Sequence, residues 1–504
     1  MSRRRLLSLG VAALVVIAVA AALRGSGATT QPQAVAPSPV AVASSGESDG
    51  GSDADQTKGG TLEAEEESQG TDERIKAFAE ANAGGTWWKT GQLRRDVAPG
   101  WSGERRIDAR ADDWEPAIAA DPNGPYVYLL VTRYTGKPAC PRGCPTPAIV
   151  LYRSTDDGTS WHHPQFLCPC KGVAHQYDPV IQVVAGTGAV YAVWMNEFHV
   201  VFSRSTDHGR TWSKPVATYG DVPWNDKPFF ATSADGQDVY VSWNGPSHGD
   251  PFVAQSHDGG RMWTHQRLLR THLYYYDFGA TVLPDGTVVF AESGVKYVHS
   301  GSEIPAGEIR DDAFISRDGG NMWERHLIAN VEAGTACTSK GCRADFYTGH
   351  VAVGADAAGD LVYAYDGADH LHGKQSIRLR TSTDEGLTWS DPTLLSTTGE
   401  NATMPAAVGT GAGDLRVWYM QTNGRPHAWN VWYRASTDDG VTWSAPVLLS
   451  DVTAGVGYVG LRGFREDYGD YGMLAVTDTG ASVAAWGEGF SYAGPGQVWV
   501  NRQT

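Results

Sequence analysis

The sequence predicts an all-β propeller, with seven blades favoured and six the alternative. Three observations carry that expectation. The motif Ser-x-Asp-x-Gly-x-x-Trp occurs six times, beginning at Ser154, Ser205, Ser256, Ser316, Ser382 and Ser436. Each copy lies in a longer unit of alternating apolar and polar residues broken by turn residues, the pattern of four short antiparallel strands. The composition agrees: 60 Gly, 18 Trp and 21 Tyr in 504 residues, with almost no long apolar helical stretch, favour many short strands joined by tight turns.

The motif is a hairpin device. Its Asp accepts backbone N–H bonds across a tight turn and its Ser adds another. Gly supplies the positive φ that a Cβ would obstruct. Trp brings a large apolar surface to a junction between sheets. Asp156, Asp207, Asp258, Asp318, Asp384 and Asp438 are therefore read as turn builders, not as catalytic groups or calcium ligands.

Taken in order, residues 1–23 read as a signal peptide or signal anchor. Arg3, Arg4 and Arg5 precede an uncharged run from Leu6 to Leu23, a basic segment followed by an apolar one. Ala18-Val19-Ala20 is a candidate cleavage site. The run just reaches spanning length, so an uncleaved anchor is the alternative. The expected location is secreted, or anchored to the outer side of the cytoplasmic membrane. Residues 24–70 read as a disordered acidic linker, too poor in apolar residues to order itself. Ten acids and one lysine between Glu47 and Glu73 account for −9 of the formal charge of −17. No basic stripe suggests nucleic acid; a monomer without cofactor or metal is expected, touching a membrane only through its N-terminus. Residues 71–100 read as a short helix and lead-in, and 101–504 as the propeller.

Within the propeller, inner strands begin near Pro116, Pro179, Pro228, Phe278, Val351, Pro405 and Met473. The seventh unit lacks a motif and a fourth strand. An orphan strand, Trp101-Ser102-Gly103-Glu104-Arg105-Arg106-Ile107, resembles strands that follow the motif, such as Trp443-Ser444-Ala445-Pro446-Val447. Residues 101–108 are expected to complete the last blade and close the ring.

Six cysteines fall in three close groups. In an exported chain they read as disulfides. Cys337 and Cys342 are expected to pair locally. Cys140, Cys144, Cys168 and Cys170 could bridge one loop to its neighbour, their connectivity being left open, with a structural metal site as the rival.

If the motifs mark one face, the loops entering the inner strands mark the other. Five are chemically rich: His175–Asp178, Trp224–Lys227, Tyr274–Asp277, Arg343–His350 and Arg462–Tyr471. Aromatic platforms, carboxylates and cations converging on one axis have the composition of a sugar site. The bland reading of each is loop bonding, inter-blade packing or a solvated charged loop. The stretch Val295–Arg310, with His299, Glu303 and Glu308, has no strand pattern and is expected to be a loop on that side, even a lid.

The motifs resemble those of the Asp-box, or bacterial neuraminidase repeat, family, over roughly residues 100–504. Trp114-Glu115-Pro116-Ala117-Ile118 and Asn225-Asp226-Lys227-Pro228 are similar to inner-strand phrases of secreted bacterial proteins of the exo-α-sialidase kind. The resemblance implies an Asp-box β-propeller with its catalytic funnel opposite the boxes. Sialidases of this family have six blades and use three arginines, a Tyr–Glu nucleophile pair and an Asp acid/base. Their first arginine, in an Arg-Ile-Pro motif, aligns with Trp114, and Arg106-Ile107-Asp108 lacks the proline. The resemblance implies a glycoside hydrolase acting on an anionic sugar. Tyr471 or Tyr468 would be nucleophile with Glu466 as base, and Asp178 or Asp226 acid/base. Arg462, Arg465 and Lys227 would hold the sugar, with Trp224, His350 and Tyr276 beside it. The alternatives are a polysaccharide lyase acting on a uronic acid, with His175 or His350 as base, and a noncatalytic glycan-binding or scaffold propeller.

Overall fold

The computed structural model describes residues 70–83 and 97–504, apart from 137–139, 141–143, 300–301, 303, 340, 426–427, 451–462 and 490. The expected signal and almost all of the linker lie outside these residues. Among the described residues no helix is long and apolar enough to cross a membrane. Residues 70–83 form a helix, and a single helical turn spans Pro246–Gly249.

The strands form seven antiparallel sheets, six of them built in chain order from an inner strand outwards and the seventh closed by a strand from the start of the domain. The inner strands of blades 1 to 6 are Ala111–Ala120, Gln176–Val183, Asp226–Thr232, Tyr274–Val282, Val351–Ala355 and Ala402–Gly409. In blade 7 the inner position is shared by Glu466–Asp467 and Met473–Val476, which both pair with Ser482–Gly489. The ring therefore has seven blades, as the inner-strand count implied. Second strands carry large apolar side chains into the blade interfaces: Trp194, Trp243, Trp418 and Trp486 are fully buried, the bulk that such interfaces need to exclude water.

The six boxes behave as hairpin devices. In the second, Ser205 Oγ donates to Asp207 Oδ1 at 2.8 Å and accepts from Gly209 N–H at 2.9 Å. Asp207 also accepts from the Thr211 N–H at 2.9 Å and hydroxyl at 2.7 Å. Gly209 has φ +72°, and Trp212 Nε1–H returns to its carbonyl at 3.2 Å.

Blade 7 is closed from the far end of the domain. Arg105 pairs with Val500 and Arg106 with Trp499, and Trp101 bridges Gln503. This is the outer strand expected from residues 101–108.

Two expectations are corrected. The stretch Val295–Arg310 is no lid: strands Val288–Tyr297 and Pro305–Ser316 pair through it, with Val295 opposite Ile309 and Tyr297 opposite Pro305. Burial alternates residue by residue from Pro305 to Asp311. Gly307 sits on the inward face and Glu308 and Arg310 on the other, which hid the period of two. The second correction concerns cysteines. The bridges are Cys140–Cys144, Cys168–Cys170 and Cys337–Cys342. All three are local, so neither a loop-to-loop bridge nor a four-cysteine metal site forms.

Candidate functional site

A backbone irregularity builds the mouth of the ring. In four blades the inner strand carries a residue before proline, namely Glu115, Asp178, Lys227 and Met404. Their φ values are 54°, 49°, 50° and 51°. At each the pairing slips, between Trp114 and Ala117, Tyr177 and Val180, Asp226 and Phe229, and Thr403 and Ala406. A bulge takes its residue out of the ladder and re-aims the side chain. Below lies an axial cavity of about 600 Å³, walled by inner-strand residues such as Val180, Phe229 and Val351, with His350, Met404 and Tyr471 also in its lining.

Three carboxylates meet at this mouth. Glu115, Asp178 and Asp470 bring one oxygen each within 4.8 Å of the others. Lys227 fills the space between them: its Nζ lies 3.4 Å from Asp178 Oδ1 and directly contacts Asp470 Oδ2. Glu115 and Asp178 are buried, whereas the Lys227 and Asp470 side chains are 12% and 19% exposed. Glu115 Oε2 accepts from Thr132 Oγ1 at 2.6 Å and from the Asp178 N–H at 2.9 Å. Burial, then the Asp178 charge and a bond between the two carboxyls, hold the Glu115 carboxyl well above the usual range. Two buried carboxyls thus lie side by side next to a lysine, and the closeness of the second disfavours the charged form of Glu115. The Tyr471 hydroxyl donates to Pro179 O at 2.8 Å. Burial and then the charges of Glu115 and Asp178 push its phenol up.

Of the site residues expected from sequence, Asp178, Lys227 and Tyr471 are brought together. Glu466 is not with them. It is buried and accepts from the Tyr347 hydroxyl, so the Tyr–Glu contact is made by Tyr347 rather than by Tyr471 or Tyr468. The reason is local: Glu466 pairs with Gly489 as a strand residue, five positions before Tyr471 on a chain that turns at Gly469, φ +136°. Tyr468 is buried with its ring edge-on to Trp114 at 4.4 Å. Asp226 is buried opposite Asn244 and lies outside the carboxylate group. Trp224 stacks on Phe198 at 6.0 Å. Tyr276 shares a hydroxyl contact of 2.7 Å with Tyr297. Arg465 is exposed, and Arg462 falls outside the described residues.

His350 stands across the mouth, 4.9 Å from the Phe278 ring. Its Nδ1 is 3.4 Å from Asp366 Oδ2, which accepts from Thr403 Oγ1 at 2.6 Å. His175 instead ties loops together, with Nδ1 2.7 Å from Thr146 O. Asp277 is buried against Glu292; burial raises Asp277 to about 7 and Glu292 well above its usual range. Sequence reasoning passed over Glu115, Asp470, Tyr347 and Asp366. A signal for the first existed: the repeated residue-before-proline of Glu115-Pro116, Asp178-Pro179 and Lys227-Pro228.

The BNR repeat-like domain family matches residues 89–335, about half of the chain. No curated protein matches. Among solved structures, an ulvan lyase of a new polysaccharide lyase family, bound to a GlcA–Rha3S sugar, is 12% identical with TM-score 0.47, covering 80% of this chain and 95% of that one. The NanB sialidase of Streptococcus pneumoniae is 12% identical with TM-score 0.40, covering 82% and 70%. A protein of unknown function from Dyadobacter fermentans is 13% identical with TM-score 0.45, covering 80% and 99%.

Proposed function

We propose, from the premise that this chain belongs to the sialidase-like Asp-box propeller superfamily, that its mouth is the active site of a glycoside hydrolase. The observation that carries the reading is the close pair of buried carboxyls, Glu115 and Asp178, set beside Lys227 over an axial cavity. Glycosidic cleavage needs a group that protonates the leaving oxygen and recovers the proton afterwards. Asp178 takes that role, with Glu115 as its proton reservoir. Lys227 and Asp470, the members that reach solvent, meet the sugar first. Tyr471, whose phenol feels the charge of both carboxyls, is the nucleophile in this reading; Glu115 takes its proton, in the place expected for Glu466, once Glu115 has passed its own through Asp178 to the leaving oxygen. Lys227 is already matched by two carboxylates. A preference for an anionic sugar therefore falls to Arg465 and Arg462 on the blade 7 loop.

The test uses the full chain on sialosides, uronic-acid glycans and neutral glycans. Asp178→Asn and Glu115→Gln should each lower kcat by about 10²-fold or more, the usual worth of a general acid–base group, with unchanged melting. Arg465→Ala should raise KM on anionic substrates only. Wild-type turnover in both carboxyl variants would overturn the assignment. A second reading, elimination from a uronic acid, is favoured by His350 being backed by Asp366 and lining the same cavity as Tyr471. An unsaturated product that absorbs in the ultraviolet would select it. Glycan binding without turnover would leave recognition alone at the same mouth.

A further inference from the structure

The helix of residues 70–83 lies outside the seven blades and docks on them along one stripe. Thr71 and Arg74 are buried, Ile75 and Phe78 half-buried, and Asp72, Glu73, Lys76 and Glu80 exposed. That is the i, i+3, i+4, i+7 spacing of a helix with a single contact face. Thr71 Oγ1 is 3.4 Å from the Tyr177 hydroxyl. The Arg74 guanidinium lies 4.0 Å from the Trp114 ring centre and 4.9 Å from those of Tyr134 and Tyr492.

Three rings from blades 1 and 7 thus surround one planar cation. Their walls are braced without the helix: Trp114 meets Tyr468 edge-on at 4.4 Å and Tyr492 at 5.4 Å. A fully buried carboxyl, Asp112, interacts with Arg74 and accepts the Gly496 N–H at 3.2 Å. Aromatic faces with a carboxyl beside them recognise a guanidinium by stacking and charge together, which a lysine ammonium matches less well.

The occupant has the character of a ligand. A lone helix of this length is marginal in water, so its order comes from the dock. The stretch before it is the acidic low-complexity segment, whose composition suits a tether. A segment held so is an intramolecular ligand whose affinity is set partly by effective concentration.

We propose that Trp114, Tyr134 and Tyr492 form a binding site for the arginine of a helical peptide, and that residues 70–83 occupy it in cis as an exchangeable ligand. The inference goes beyond the glycan reading and does not depend on it, although Trp114 and Tyr177 adjoin Glu115 and Asp178 in sequence and place the dock beside the mouth.

The experiment adds a fluorescent peptide copying residues 66–86 to the full chain and reads anisotropy. The wild-type chain, its cage already filled, should bind weakly. The Arg74→Ala chain should bind at least tenfold more tightly. A peptide with alanine in place of its arginine should lose that gain, and one with lysine should keep only part of it. Tyr492→Ala, at a half-buried ring, combined with Arg74→Ala should weaken binding again while melting stays close to that of Arg74→Ala alone. In the wild-type chain, excess peptide should speed tryptic cleavage at the exposed Lys76, which a purely structural helix would not show. The proposal is overturned if Arg74→Ala binds no more tightly than wild type, or if binding survives loss of the peptide's arginine.

Discussion

Asp207, in a hairpin turn, and Glu115, on an inner strand, are both acids, and their surroundings drive them in opposite directions. Asp207 accepts from the Thr211 hydroxyl and N–H, the Arg210 N–H and the Ser205 hydroxyl, which hold its carboxyl below the usual range. Glu115 is buried against Asp178, and burial first, then that neighbour's charge, raise its carboxyl well above the usual range. Replacing Asp207 with alanine should strip a turn of several hydrogen bonds and cost about 1–2 kcal/mol, read as a lower urea midpoint at unchanged slope. Ligand affinity at the mouth should not move, because the box lies at the opposite end of its blade; a loss of glycan affinity with unchanged stability would contradict the division of faces. The same contrast explains what was legible. The box aspartates announce themselves as a repeated motif. Glu115 reads as one more residue in a strand phrase, and only its left-handed φ of 54° turns it into a mouth residue. Asp470 and Tyr347 reach their partners through contacts 243 and 119 positions distant, which no local pattern encodes.

At the scale of the element, strands with period-two alternation and box-terminated hairpins were readable because each carries its own turn chemistry. The extended hairpin of blade 4 was not, since glycine and charged residues interrupt its apolar face. The closing strand was readable through its likeness to the strands after the boxes. Its weight rests on Trp101, 5% exposed and edge-on to Tyr433 at 4.9 Å. Trp101→Ala should cost about 3–5 kcal/mol, as for other buried tryptophans, and lower the melting temperature of the whole ring in one transition. Val441→Ala, at a side chain 80% exposed, should leave melting unchanged. If Trp101→Ala melts with wild type, the clasp is ornamental and the ring is held by the inner strands alone.

For the molecule as a whole, two populations of carboxyls set the response to pH. Asp112, Asp250 and Asp277 are each raised to about 7, chiefly by burial. Glu292, Asp311 and Asp467 are likewise raised well above the usual range, first by burial. Their unfolded values lie near 4, so between pH ~4 and ~7 the folded chain binds more protons than the unfolded one, and stability falls as pH rises through that window. The box acids Asp207, Asp258 and Asp438, lowered mainly by hydrogen bonds, contribute stability that is lost as pH drops below ~4. Melting temperature at constant ionic strength should therefore peak near pH 4–5 and decline toward pH 8. A flat or rising profile from pH 5 to 8 would mean that the buried carboxyls ionise without cost.

The pairing of Arg105 with Val500 spans 395 positions, and that distance makes folding a matter of timing. A chain emerging from its N-terminus delivers the clasp strand first and its partner last. At about 5–20 residues per second, the first strand waits roughly 20–80 s for the second. Through that interval six blades have their neighbours, while the two ends of an open ring present strand edges and a bare tryptophan to every other nascent chain nearby. The hazard of this architecture is therefore greatest before the ring is complete, while those edges are unpaired.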